Sequence, residues 1–150
     1  VPVCSPQLIE KHFPDAKKIN AHCYDLDSEQ ITQLPLLQQT TRLNIWQEWC
    51  EKHQIEHPKP FEGQRHELFS MLAVAATHSM GMALIPQMLI KKELESSELV
   101  IATNKTLTGV RSYYLVHSSQ ENSMLIEKFV DWIQLELKNE GLPYSFGTIE

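Results

Sequence analysis

The sequence lacks paired cysteines. Its three, Cys4, Cys23 and Cys50, are odd in number and widely spaced, with no C-x-x-C, which argues against a secreted disulfide scaffold and suits a reducing cytoplasm. It also lacks a charged N-terminal region followed by an apolar run, so no signal-peptide pattern is present. The longest apolar stretch, around residues 81–86, falls far short of the roughly 20 residues a membrane helix requires. The expected setting is the cytoplasm, with no membrane partner. Basic residues are scarce as well: 13 Lys and Arg stand against 19 Asp and Glu, for a net charge of −6, which leaves no basic stripe for nucleic acid within these residues. What is present is ordinary for a soluble globular chain of 150 residues, 42% hydrophobic and 21% charged, a length that normally makes one domain. The chain opens on Val1-Pro2-Val3-Cys4 rather than methionine, which reads as a piece of something longer.

Catalytic and cofactor patterns are missing too. Ser5, Ser70 and Ser112 have no G-x-S-x-G elbow around them, and Gly81-Met82-Ala83 lacks the spacing of a dinucleotide loop. Of seven histidines, His53 and His57 are four apart, but Pro58 places His57 past a helix end and no carboxylate or cysteine is fixed beside them, so no zinc site is expected. Trp46 and Trp49 share a helical face and read as core rather than a sugar platform. No enzyme, metal or cofactor follows from these residues.

Short apolar runs alternate with helix-period segments, the pattern of βα units around a mostly parallel sheet, here of five strands. Residues 1–4 read as a strand, and Ser5-Pro6 as N-cap and first position of a helix to about His12. Residues 13–33 carry no assigned element. Leu34-Pro35-Leu36-Leu37 is the second expected strand, Asn44-x-x-Gln47 a capping box opening a helix with Trp46, Trp49, Cys50 and His53 on one face, and residues 61–64 a short strand. From Leu68, the positions Leu68, Leu72, Ala75, Ala76 and Ser79 keep helical spacing, and Gly81 is placed to end that helix. Residues 82–85 form a buried strand, 87–96 a surface helix with Leu89, Ile90 and Leu94 inward, 99–102 an extended segment, 103–109 a polar connection and 112–116 an aromatic-rich strand. Ser118-x-x-Glu121 offers another capping box, followed by a stripe of Leu125, Phe129, Ile133 and Leu137, stopped by Gly141 and Pro143.

Ligands of open α/β sheets bind at the carboxyl ends of the strands. The segments leaving those ends are Ser5, residues 39–42, and Arg65-His66-Glu67 ahead of Phe69-Ser70. Two lead into helix N-termini, whose free amides attract anions, and Arg65 and His66 add to that. A carboxylate or phosphate ligand is the physically reasonable guest.

The run Arg65-His66-Glu67-Leu68-Phe69-Ser70-Met71-Leu72-Ala73-Val74-Ala75-Ala76, continued by Gly81-Met82-Ala83-Leu84-Ile85-Pro86, resembles the effector-binding domain of LysR-type transcriptional regulators. Pro2-Val3-Cys4-Ser5-Pro6, Leu36-Leu37, Trp46-x-x-Trp49, Glu93-Leu94 before Leu99-Val100, Tyr113-Tyr114-Leu115-Val116 and Phe129-Val130-Asp131-Trp132-Ile133 agree in order. The paired tryptophans resemble the branch of the glycine-cleavage activator and the β-lactamase regulator. The resemblance implies a two-lobed fold like periplasmic binding proteins, with a small effector between the lobes, which the helix N-termini above make anionic. It implies that residues 1–117 form the second lobe, that 118–141 are a helix belonging to the first and that 142–150 are a tail. The winged helix-turn-helix that binds DNA and most of lobe one would then lie outside these residues, and a homo-oligomer is implied. A transport-type solute-binding protein shares the fold and is the alternative. Carried over by position, Arg65, His66, Glu67, Phe69 and Ser70 match the loop facing the effector, Tyr113 a cleft-lining aromatic, and Ser5 the hinge. Three positions depart from the branch: His66 where an aromatic is usual, Leu68 where a polar residue is common, and Ser79 where glycine is frequent. Without its own lobe, the last helix is expected to fold back or to pack against another copy.

Overall fold

The computed structural model describes residues 1–108, 114–116, 124–139 and 141. These fall in two units, Val1–Val110 and Arg111–Glu150.

In the first unit, seven strands form one sheet: β1 (Pro2–Cys4), β2 (Lys18–Asn20), β3 (Cys23–Tyr24), β4 (Leu36–Gln39), β5 (Gln64–His66), β6 (Met82–Leu84) and β7 (Val100–Ile101), in the order β2-β3-β7-β1-β6-β4-β5. β4 runs parallel to β5 and β6, and β3 parallel to β7, while β1 is antiparallel to both β6 and β7 and β2 is antiparallel to β3. Five strands therefore share one direction and two oppose it. The α/β class holds, but the sheet is mixed and larger than five strands. β1 opposes its neighbours on both sides at the sheet centre, a direction that its short apolar sequence does not encode.

Period-two alternation sorts the side chains into two cores. Cys4, Leu36, Met82, Leu84 and Val100 face a cluster with Trp46, Trp49, Tyr24 and Leu26. Val3, Leu37, Ala83, Ile85 and Leu99 face the other, with Leu72, Ala73 and Ala76. The helices α1 (Pro6–His12), α2 (Ser28–Gln33) and α3 (Ile45–Lys52) supply the first layer; α4 (Phe69–Thr77) and α5 (Lys91–Glu95) supply the second. The alanines of α4 let its axis lie close to the sheet.

Local chemistry explains the boundaries. Ser5 caps α1, its Oγ accepting from the Leu8 amide at 3.2 Å, with Pro6 at the first helical position. Asp27 and Gln30 make a reciprocal capping box for α2, an element without a readable apolar stripe because Ile31 is the one buried residue among its six. The α3 helix forms, but Asn44 makes no side-chain cap. The second strand is shifted two residues along from the expected one: Leu34 closes α2 as its C-cap, and Gln38 and Gln39 pair with Arg65 and His66 of β5 instead of leaving the sheet. Helix α4 ends at Thr77, not at Gly81. Ser79 takes the left-handed conformation, φ 60°, while the amides of Ser79 and Met80 bond to the carbonyls of Ala76 and Ala75, a Schellman closure. Gly81 serves the strand: a Cβ there would lie 2.6 Å from the Pro35 carbonyl oxygen. The 87–96 segment is a 3₁₀ turn over Gln87–Leu89 followed by α5, and Leu89 is exposed while Ile90 and Leu94 are buried.

In the second unit, α6 (Met124–Asn139) is a regular helix with no buried residue, and Gly141 follows at φ 65°. Of the expected strand at 112–116, residues 114–116 form none. Ser112, Tyr113 and the Ser118–Glu121 capping pattern lie outside the described residues.

Candidate functional site

Because five strands share one direction, their carboxyl ends meet at one edge of the sheet. Gln39 ends β4 and His66 ends β5 in register with it, and Thr103 follows β7 by two residues. The buried side-chain atoms without a hydrogen-bond partner among the described residues are Gln38 Oε1, Gln39 Oε1, His66 Nε2, Thr103 Oγ1 and His57 Nε2. Four of the five belong to the carboxyl ends of β4, β5 and β7. Buried polar atoms are almost always paired, and each exception needs a reason.

The first turn of α4 stands at the same edge. Its N-cap is Leu68, which makes no side-chain hydrogen bond, and no acid lies in its first turn. Amides there keep their hydrogens and the positive end of the helix dipole uncompensated. Ser70 is exposed on that turn, while Phe69 is half-buried against the α4-side core. The Arg42 guanidinium lies 5.3 Å from the Phe69 ring centroid.

An open cleft of about 440 Å³ begins here, with His66 and Ser70 at one end, Met71 and Val74 along it, and His78 and Met80 at the other. It runs down the outer side of α4, so it shares only His66 and Ser70 with the strand ends.

The sequence-expected residues divide accordingly. His66, Phe69 and Ser70 are brought together. Arg65 and Glu67 are exposed nearby, and Arg65, in register with Gln38, shares the α3 side of the sheet. Tyr113 lies outside the described residues. Ser5 is not with them: β1 opposes β4, β5 and β6, so its carboxyl end points to the other edge, where the Ser5 amide bonds to Ala76 O at the far end of α4. A rise of six residues along α4, roughly 9 Å, separates Ser70 from the Ala76 carbonyl that holds the Ser5 amide. Ser5 is fully buried, and its hydroxyl caps α1 and meets Ser79 Oγ at 2.7 Å. Gln39 and Arg42 lie in the 39–42 segment that the sequence places at a strand's carboxyl end, but no local pattern singles out either residue.

Other chemistry is not assembled. No group of three or more His, Cys, Asp or Glu that could hold a metal occurs among the described residues. His53 Nε2 meets Thr106 O and His57 Nδ1 accepts from the Lys59 amide, so the two do not face a common point. Burial pushes the Cys4 thiol up to about 12 and that of Cys50 to about 11, which removes both as nucleophiles at neutral pH. Trp46 and Trp49 are fully buried and meet edge to face at 5.6 Å, a core pair.

The fold is an α/β lobe of the periplasmic-binding-protein kind. The LysR substrate binding domain matches residues 20–138, and the chain belongs to that family. It is 27% identical over 147 residues to the glycine cleavage system transcriptional activator of Escherichia coli (strain K12), covering 97% of this chain and 45% of that protein. The HTH-type transcriptional regulator DsdC of the same organism is 25% identical over 140 residues, covering 92% and 43%. The chain thus spans less than half the length of these relatives. Among solved structures, it is similar to the effector domain of the transcriptional regulator AmpR of Pseudomonas aeruginosa, with TM-score 0.70, 19% identity, and 93% of this chain and 62% of that one covered. The regulatory domain of CrgA from Neisseria meningitidis gives 0.61 at 14% identity, covering 91% and 63%. These two likenesses concern the fold.

Proposed function

We propose that this chain is part of the effector-sensing domain of a DNA-binding transcription regulator, and that a small anionic effector docks on the carboxyl edge formed by β4, β5 and the start of α4. The observation that carries the reading is a pair of neighbouring buried polar atoms without partners, Gln39 Oε1 and His66 Nε2, which call for a polar guest with hydrogens to donate, beside an uncapped helix end, which favours that guest's anionic group. Residues 1–117 act as the second lobe, 118–141 supply a helix of the first, 142–150 are a tail, and Tyr113 lines the cleft. DNA is contacted through a separate N-terminal winged helix-turn-helix of the whole protein. Effector binding shifts the closure of the lobes and so the geometry of a cytoplasmic homo-oligomer on DNA. The protein performs no catalysis. A transport-type solute-binding role is not favoured, because the curated relatives are transcription regulators.

The test is a metabolite screen by amide chemical shifts on the complete two-lobed domain, with Ser70→Ala alongside. Effectors are expected to move the signals of residues 39–42 and 66–71. Losing one hydrogen bond from Ser70 weakens them by about 5- to 10-fold. An effector that shifts only residues remote from this edge overturns the assignment.

A further inference from the structure

We propose that the effector presents an uncharged NH2 group, a primary carboxamide or its equivalent, to Gln39 and His66, which accept its two hydrogens. This rests on the effector reading above and names the group at the guest's hydrogen-donating end.

Gln39 ends β4 and His66 ends β5, the last strand of the sheet, and the two are partners in register. Residues in register on neighbouring strands point to the same face of a sheet, so the two side chains stand side by side. Gln39 is 7% exposed, and its Oε1 and His66 Nε2 are both buried without a hydrogen-bond partner among the described residues. An amide oxygen only accepts, and Nε2 of an imidazole that carries its hydrogen on Nδ1 accepts as well. Each of the two atoms lies three bonds beyond its Cβ, and side chains of equal reach on strands about 4.8 Å apart set their ends at a similar spacing. One planar NH2 bridges such a pair, because two hydrogen bonds of about 2.9 Å at about 120° span about 5 Å.

His66 and Ser70 line one end of the open cleft beside α4, so a guest reaches the pair from there. Ser70 is exposed, and its hydroxyl has a hydrogen that the carbonyl oxygen of a carboxamide accepts. The neighbours decide that the group is uncharged. Arg42, three residues after Gln39, holds its guanidinium 5.3 Å from the Phe69 ring centroid, and the first turn of α4 carries no acid. Both disfavour an ammonium there. Glu67, the acid next to His66 in sequence, is exposed and lies past the end of β5, where water and salt screen it. A carboxylate brings no hydrogen to either acceptor. Gln38 takes no part: alternation turns it to the other face of the sheet, where its amide already donates to Pro60 O and Glu62 O.

The experiment titrates the chain with isobutyramide, with N,N-dimethylisobutyramide, which lacks both hydrogens, with isobutylammonium chloride and with sodium isobutyrate at constant ionic strength, following the amide signals of residues 39 and 66–71. Wild type is expected to bind isobutyramide about tenfold more tightly than its dimethyl counterpart, and more tightly than the ammonium salt. Gln39→Met and His66→Phe each reduce the preference for the primary amide to about threefold or less, and either serves if the other folds poorly. Equal binding of the two amides, tighter binding of the ammonium, or a preference undiminished in both variants overturns the proposal. If isobutyrate alone moves these signals, the NH2 assignment falls while the effector edge stands; if no probe moves them, both fall.

Discussion

Ser79 has φ 60°, a conformation that costs a side-chain-bearing residue about 1 kcal/mol relative to glycine, and its hydroxyl lies 2.7 Å from that of Ser5. The strained residue that closes α4 is thus tied to the cap that opens α1. Ser79→Ala keeps the strain and loses the bond, so it should destabilise by about 1 kcal/mol. Ser79→Gly loses the bond but relieves the strain and should come out near neutral. Ser5→Ala forfeits a cap as well, at about 1–2 kcal/mol, and denaturant unfolding of the double variant should show coupling of about 0.5–1 kcal/mol. Effector affinity should not follow these changes, since this pair lies at the edge away from the site. His57 behaves differently. Burial holds its pKa below the ordinary 6.5, so the unfolded chain takes up a proton more readily than the folded one. Stability is then full above pH 6.5 and is lost as pH falls from there through the lower folded-state value. His57→Gln should flatten this part of a stability-versus-pH curve measured by urea unfolding.

At the scale of elements, α3 joins two parts of the first unit. Trp46 Nε1 donates to Leu37 O in β4 at 2.9 Å, and Trp49 Nε1 donates to Lys105 O at 2.8 Å. Lys52 Nζ donates to Thr108 Oγ1 at 3.0 Å, and His53 Nε2 meets Thr106 O at 3.0 Å. The segment after β7 has no regular structure of its own, so its order depends on these contacts. Trp49→Phe strands the Lys105 carbonyl and should cost about 1–3 kcal/mol, with faster amide hydrogen exchange at residues 104–108 and little change in α4. The helices α1, α3 and α4 were readable because each buries an apolar stripe at helical spacing, and α1 also carries its cap and proline. The segment 18–33 was not, because β2 and β3 are three and two residues long and owe their strand form to backbone pairing with the rest of the sheet. The second strand misled for a related reason: Gln38 and Gln39 are polar, yet ladder bonds to β5 hold them inside.

Over the whole chain, α6 carries Phe129 and Trp132 exposed at 47% and 55%, their rings 5.8 Å apart. On the proposed reading a first lobe would cover this stripe; for the chain by itself the expectation is self-association. Light scattering should show mass rising with concentration, and Phe129→Asp with Trp132→Glu should return the chain toward monomer without lowering the stability of the first unit. A wild-type chain that stays monomeric at all concentrations contradicts this.

Sequence alone was enough for the α/β class, the buried tryptophan pair, the helix that begins at Phe69 and the placing of His66 and Ser70 ahead of and within its first turn, since local spacing and capping chemistry encode each of these. Strand direction is different. Nothing in Pro2-Val3-Cys4 distinguishes a parallel from an antiparallel strand, and its antiparallel pairing with β6 and β7 is what carries Ser5 to the edge away from His66 and Ser70. The same sheet brings Gln39 beside His66, and the turn after β4 sets Arg42 over Phe69. Those contacts join residues 27 positions apart in the chain, and only the pairing of strands decides them.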